Sequence, residues 1–409
     1  MKVVFAVIIL MIILTGKVFA ADQATWWQYQ SIDTMKFSRD LAREKSTDVD
    51  FETKINDQVG QIAATGATHI AIDTPYDEEF FGFLKKWVDR ARIHGLKVWF
   101  RGNFSGWEGW FDYPKISREE HLSEIGKFID RHPELFEDGD IFDPCPECEN
   151  GGPGDPRQNG DVDGFRKFMI DEYRLTQDSF SKINKQVITN FSSSNGDVAK
   201  LVYDKETAQA VGGVVAIDHY VATPEQLVSD IKQLHQDTGA YIVLGEFGFP
   251  IPDINGEQSD QDQADWIKSA LKLLTQSPEL IGLNYWTNIG SSTELWNNNG
   301  RVKEVVGVIA ASYSPKNLVL EIVNDFNRPL AEVKIEYANR TYFSDKFGKT
   351  VVPLNGFAPV FKLSRDGYQP KTVTMTGNGS ILKISLAKDS LSWWERVWRW
   401  IITIFLSEK

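Results

Sequence analysis

Along residues 27 to 314, apolar β-branched runs of strand length alternate with amphipathic stretches of helix length, the pattern of successive βα units on a parallel sheet. The runs that predict strands are "TMKFSRD" (34–40), "THIAIDTP" (68–75), "LKVWFRGNF" (96–104), "GDIFDP" (139–144), "QVITNFS" (186–192), "VVAIDHY" (214–220), "YIVLGEFGF" (241–249) and "IGLNYW" (281–286). Eight such strands with helices between them predict an α/β fold, a (β/α)8 TIM barrel. A doubly wound open sheet has less support, because no G-x-G-x-x-G or G-x-x-x-x-G-K-[ST] follows any of the runs. In a barrel the polar residues that end the runs fall at the C-terminal mouth, where active sites are built. They include Arg39, Asp73, Arg101, Asn103, Asp143, Asp218, Glu246 and Asn284.

After "SYSPKN" the period changes to short alternating strands ("LVLEIV", "AEVKIEYA", "APVFKL", "KTVTMT", "ILKISLA") separated by Gly, Asn and Asp turns. This predicts a small antiparallel β-sandwich over residues 316–388. Its stretch "FSDKFGKTVVPLNGFAPVFKLSRDGYQPKTV" resembles the carboxypeptidase-regulatory-like or PEGA-type immunoglobulin-like modules of secreted bacterial proteins. Two end segments complete the division. Residues 1–20, with Lys2, an apolar run from Val3 to Leu14 and small residues at Ala20 and Ala21, read as a signal peptide, so the barrel occupies 21–315 and the protein is expected outside the cytoplasm, secreted or at the cell surface. The same run left uncleaved as an anchor is the alternative, although it is shorter than the roughly 20 residues of a spanning helix. Residues 389–409, "DSLSWWERVWRWIITIFLSEK", predict a Trp-rich amphipathic helix suited to a bilayer interface, or else a cap on the sandwich.

Charge narrows the partner. A formal net charge of −13 without any basic stripe argues against nucleic acid. The count of 13 Trp is high for 409 residues and suits surfaces that stack on a ligand or meet a membrane. Oligomeric state is not legible.

Two segments concentrate the candidate chemistry. Glu246, in "YIVLGEFGFP", interrupts an apolar strand between Gly245 and Gly248, a position costly for a carboxylate without a task or a partner. The second segment, "FDPCPECENGG" (142–152), gathers Asp143, Glu147, Glu149 and both cysteines. Cleaving a glycosidic bond needs one carboxyl to protonate the leaving oxygen and another to stabilise or trap the sugar cation. Glu147 and Glu246 lie 99 residues apart, room for three βα units of about 33 each. A zinc site would want a second pair of Cys or His ligands, and none is evident, so a disulfide between Cys145 and Cys148 is the better reading, with two free thiols as the alternative. Trp107, Trp110 and Tyr113 follow the third run and Trp296 follows the eighth, placed as platforms for pyranose rings.

These motifs together resemble the clan A glycoside hydrolases, in particular family 5 cellulase-like members, over about residues 27 to 314. "GEFG" is similar to the nucleophile strand of that family, which implies that Glu246 is the nucleophile. "DHY" (218–220) is similar to its sixth-strand pattern, implying that Tyr220 orients the nucleophile, with His219 lining the site beside it. Trp286, ending "LNYW", resembles the tryptophan that floors the sugar subsite nearest the cut. "DPCPE" aligns with the family's E-P-x-N-E and implies Glu147 as acid/base, but Pro146 stands where an Asn usually contacts the sugar. Glu149, two residues on, points the same way if strand geometry persists and remains the second candidate. Arg39 or Arg101 would keep the nucleophile ionised, and the resemblance favours Arg39.

The resulting expectation is a secreted retaining β-glycoside hydrolase with a carbohydrate substrate and no need of a cofactor or metal. A non-catalytic carbohydrate-binding protein on a degenerate barrel is the main rival. A metal-dependent hydrolase built on Asp143, Glu147, Glu149 and the cysteines is the third.

Overall fold

The computed structural model describes residues 24–355, 358–376 and 379–389. The expected signal peptide and the Trp-rich C-terminal helix lie outside these residues. Among the described helices none is long and apolar enough to cross a membrane.

Eight parallel strands form one sheet: β1 (Tyr29–Asp33), β2 (His69–Ile72), β3 (Lys97–Phe100), β4 (Ile141–Phe142), β5 (Ser193–Asn195), β6 (Val214–Asp218), β7 (Tyr241–Phe247) and β8 (Leu280–Tyr285). Their order is β4-β3-β2-β1-β8-β7-β6-β5. The two edges meet through a parallel bridge between Ile141 and Ile188, where the Phe142 N–H donates to the Ile188 carbonyl at 2.8 Å. The sheet therefore curls into a TIM-barrel-like fold, with helices such as Arg118–Arg131 and Val162–Lys182 outside it.

Alternation along the strands sorts the interior into layers. Ala71, Trp99, Ile141, Phe191, Ala216 and Val243 form an apolar plug inside the barrel. Two residues further along the same strands, on the same face, stand Asp73, Arg101, Asp143, Ser193, Asp218 and Gly245. Thus the apolar plug is floored and the layer nearest the mouth is polar. A larger apolar shell, including Trp87, Phe100, Phe142, Ile217 and Leu283, packs the barrel against its helices.

Two of the sequence expectations move. The segment 34–40 is not the first strand: Met35–Ser38 is a short helix, and β1 lies just before it in "YQSID". Gln30, Ser31 and Asp33 are all buried, so the strand reads as polar although it is central. Likewise β5 is "SSN", past the expected 186–192 run, which contributes the closing bridge at Ile188 instead.

A β domain follows, with strands β9 (Asn317–Asn324), β10 (Lys334–Tyr337), β11 (Arg340–Phe343), β12 (Lys349–Pro353), β13 (Val360–Ser364), β14 (Lys371–Thr374) and β15 (Ile381–Leu386). They form a four-stranded sheet, β11-β10-β13-β14, and a three-stranded sheet, β12-β9-β15. The pairing is antiparallel except between β9 and β15, which run parallel. Every second residue of β9 (Leu318, Leu320, Ile322) is buried, as are Ile335, Phe361 and Leu363 from the other sheet. The domain rests against the barrel through Arg340, whose guanidinium donates to the Thr275 and Ser277 carbonyls, both at 3.3 Å, and through Trp26 against Tyr337.

Candidate active site

The polar layer at the mouth is organised by Arg101, which follows β3 and is 1% exposed. Its Nη1 donates to the Gly245 carbonyl at 2.7 Å, and its Nη2 donates to Asp218 Oδ2 at 3.1 Å and to Glu246 Oε1 at 2.8 Å. Nε lies 3.7 Å from both Asp33 Oδ2 and Asp73 Oδ1. One guanidinium thus faces four buried carboxyls from four strands or their ends.

Glu246 reaches this position because β7 is irregular. Ile217 of β6 pairs with Leu244, whereas the next residue, Asp218, pairs with Glu246, so Gly245 is an extra residue on the β7 side. A Cβ on Gly245 would come within 2.3 Å of Asp218 Oδ1 and 3.0 Å of Arg101 Nη1, so the close approach demands glycine. The Tyr220 hydroxyl donates to Glu246 Oε2 at 2.7 Å. Burial first, and then the Asp218 carboxylate, raise the Glu246 carboxyl well above its ordinary range, and Arg101 offsets them only in part. Burial and the Glu246 charge hold the Tyr220 phenol well above its ordinary range, so it stays a donor.

The turn after β4 carries the other carboxyls. Asp143 ties it to β5, accepting from the Ser193 N–H and hydroxyl at 3.0 and 3.1 Å and from the Cys145 N–H at 3.1 Å. Cys145 and Cys148 are joined in a disulfide with Cα atoms 5.1 Å apart. Between them Glu147 sits in the left-handed region, φ 48°, with its N–H donating to the Ser193 carbonyl at 2.8 Å. Glu147 is half-buried, and burial, Asp218 and Glu149 together push its carboxyl up to about 8. Glu149 is more deeply buried and is committed to β5: its Oε1 accepts from the Asn195 N–H at 2.6 Å and the Asn195 side-chain amide at 2.9 Å. Those donors work against burial, which pushes Glu149 up to about 6.

Other expected site residues are distributed unevenly. Trp286, at the end of β8, is half-buried, with its ring edge-on to Tyr220 at 6.1 Å between centroids and Lys36 Nζ 5.6 Å from its ring centre. Trp110 is half-buried under the Arg39 guanidinium at 4.6 Å. His219 gives its backbone N–H to the Glu246 carbonyl, but its ring Nε2 pairs with Asp230 of the helix Pro224–Thr238 at 2.8 Å.

Three expectations are corrected. Trp107 is 1% exposed, stacks on Phe168 at 5.2 Å and donates through Nε1 to the Cys148 carbonyl at 3.1 Å. It is core beneath the cysteine turn and has no face to offer a sugar. Trp296 is buried in the same sense. Arg39 caps the short helix Met35–Ser38 and pairs with Asp40, while Arg101 takes the place beside Glu246 that Arg39 was expected to fill.

The metal reading loses its ligands. With both sulfurs in the disulfide neither is a thiolate, and Asp143 is held by Ser193 and Cys145. The buried trio of His121, Cys145 and Glu172 has metal-like spacing, but it shares that oxidised sulfur.

Sequence reasoning missed Glu108 altogether. It lies in the short helix Ser105–Glu108, accepts from Asn103 Nδ2 at 3.0 Å, and burial pushes it up to about 8 near Glu147 and Glu149. Asn103 Oδ1 in turn accepts from His121 Nε2 at 2.8 Å, and His121 Nδ1 lies 2.6 Å from Glu172. The only sequence signal for this chain of contacts was the polar Asn103 ending the third run.

No protein-family model and no curated protein matches the chain. Solved structures do match in fold. A GH5_18 protein of Bifidobacterium longum in complex with Manβ1-4GlcNAc aligns with a TM-score of 0.53 at 11% identity, over 75% of this chain and 86% of that one. A GH5_18 protein of Streptomyces cattleya in complex with GlcNAc gives 0.51 at 12% identity, over 74% and 85%. Bacteroides uniformis β-glucuronidase 2 gives 0.46 at 12%, and the chain spans only 44% of its length. At such identities the likeness is one of fold: this chain carries a TIM-barrel-like domain of the kind found in glycoside hydrolases.

Proposed function

We propose that the protein is a retaining β-glycoside hydrolase in which Glu246 attacks the anomeric carbon and Glu147 protonates the departing oxygen. The observation that carries this reading is the difference in the donors that hold the two carboxyls, both of which burial raises. Glu246 is gripped by two donors, Arg101 at 2.8 Å and Tyr220 at 2.7 Å, which favour its charged form. Among the described residues Glu147 accepts at its side chain only from the Asn150 amide, at 3.1 Å, and it is raised to about 8, which favours the protonated acid at neutral pH. After attack, the ionised Glu147 would take a proton from water as that water releases the glycosyl-enzyme. Glu149 fits the acid role less well, since two donors from Asn195 already hold it. Trp286 beside Tyr220 suits the floor of the bound sugar. The β domain, with its two small sheets, fits an immunoglobulin-like accessory module, and the N-terminal segment fits export to the cell surface.

The test is release of reducing sugar from β-glucans, mannans, xylans and Manβ1-4GlcNAc oligosaccharides. Wild type is compared with Glu246→Gln, Glu147→Gln and Glu149→Gln. Loss of turnover in the first two and its retention in the third is expected. Pro146, where the resembled family has Asn, favours one second reading: a barrel that binds carbohydrate without cutting it. Binding without turnover on every glycan would select it.

A further inference from the structure

Four buried carboxyls share one guanidinium at the mouth, and they are not equally provided with donors. Asp218 and Glu246 each accept from Arg101 Nη2, and Glu246 also accepts from Tyr220. Asp33 accepts from the Met35 N–H at 2.8 Å through Oδ1 and from Asn284 Nδ2 at 3.1 Å through Oδ2. Asp73 differs. It is 1% exposed, and among the described residues no donor reaches either of its oxygens. Arg101 Nε is 3.7 Å away, beyond hydrogen-bond distance, and lies the same 3.7 Å from Asp33 Oδ2, so the Asp33 and Asp73 carboxyls flank one nitrogen.

We infer that Asp73 is held as a neutral carboxylic acid whose O–H donates to the Asp33 carboxylate, leaving the Arg101 charge to Asp218 and Glu246. An ionised Asp73 would be a buried anion beside a second anion, with no donor of its own. A protonated Asp73 supplies the donor that the arrangement lacks and turns a repulsion into a hydrogen bond. The same side has been reached by its surroundings: burial first, and then the Asp33 carboxylate, raise this carboxyl well above the usual range, while Arg101 and Arg39 oppose them. The charged and titratable groups facing it are Asp33 from β1, Arg39 from the helix after β1, Arg101 after β3, and Tyr76 in its own β2 loop. Asp73 touches no reacting atom in this arrangement; it is a positioning residue that acts through Asp33 and Arg101.

Proton linkage tests this without any turnover, so failure of the glycosidase reading leaves the inference standing or falling by itself. An Asp that is protonated in the folded chain and ionised in the unfolded one makes the unfolding equilibrium constant rise about tenfold per pH unit above the unfolded pKa. Asp73→Asn removes that contribution and keeps the shape. Urea unfolding of wild type and Asp73→Asn between pH 5 and pH 8 is expected to show slopes that differ by one proton, wild type being the steeper. Equal slopes, with the variant weakened by the same factor at each pH, overturn the inference, because they mean that an ionised Asp73 pairs with Arg101. If the variant does not fold, wild type labelled with carboxyl-13C aspartate decides the matter. A resonance at the protonated position at pH 7 that disappears in Asp73→Glu, which carries no label there, supports the neutral acid; its absence in wild type, or its persistence in Asp73→Glu, overturns it.

Discussion

Replacing Arg101 by Met probes the centre of the site most directly. The change removes one positive charge and three hydrogen bonds, to the Gly245 carbonyl, Asp218 and Glu246, at a position that is 1% exposed. Breaking a buried ion pair by removing one partner costs about 3–5 kcal/mol, a large share of the roughly 5–15 kcal/mol that holds a domain folded. The sign of the pH dependence follows from the carboxyls left behind. Asp33, Asp73, Asp218 and Glu246 are all raised by burial, and Arg101 is a force lowering each of them. Without it they keep their protons to higher pH in the folded chain, while in the unfolded chain they ionise near pH 4. The unfolded state then binds fewer protons, and stability falls as pH rises. Urea unfolding followed by tryptophan fluorescence should show a deficit that is larger at pH 8 than at pH 5. Arg101→Lys should fall between, since one ammonium cannot serve all three acceptors of the planar fork. A deficit below about 1 kcal/mol at both pH values would refute the reasoning, because a buried charge of this kind cannot be removed so cheaply.

Tyr220→Phe deletes the 2.7 Å donor to Glu246; a hydrogen bond to a charged group is worth about 1.5–3 kcal/mol, so kcat/KM on any cleaved glycan should drop roughly 10- to 150-fold with folding unchanged. Trp107→Ala should cost about 3–5 kcal/mol in unfolding, as a large buried side chain does, and should leave glycan affinity of the folded fraction unaltered. The pH–rate profile should fall on its alkaline side near 8, where Glu147 loses the proton it donates, and Glu147→Gln should abolish that limb in assays with an activated leaving group.

The barrel was legible where its strands bury apolar side chains on both faces, as in "VVAID" and "YIVLGEF", which became β6 and β7. It was misread where a strand turns polar residues into the mouth. β1 and β5 bury polar residues, Gln30, Ser31, Asp33, Ser193 and Ser194, so neither shows the apolar pattern of a buried strand. The pairing of Glu246 with Tyr220 was readable from the resemblance, because it depends on neighbouring strand ends. Which arginine stands beside Glu246 was not, since Arg39 and Arg101 both lie near the ends of runs read as strands and only the true end of β1 separates them. Trp107 and Glu108 share a short helix, and sequence could not tell that one turns into the core while the other faces the carboxyls.

The attachment of the β domain fixes an orientation. Arg340 and Asn339 grip the carbonyls of Thr275, Gln276 and Ser277, the connection that enters β8 from below, and Ala24, just ahead of β1, donates to Asn317. These are the ends of the strands opposite the polar layer. The β domain is therefore a pedestal: it stands under the barrel, distant from Glu246 and Glu147. It covers none of the rim of the mouth. A surface that held the β domain would leave the mouth facing away from it, like a cup on its stem.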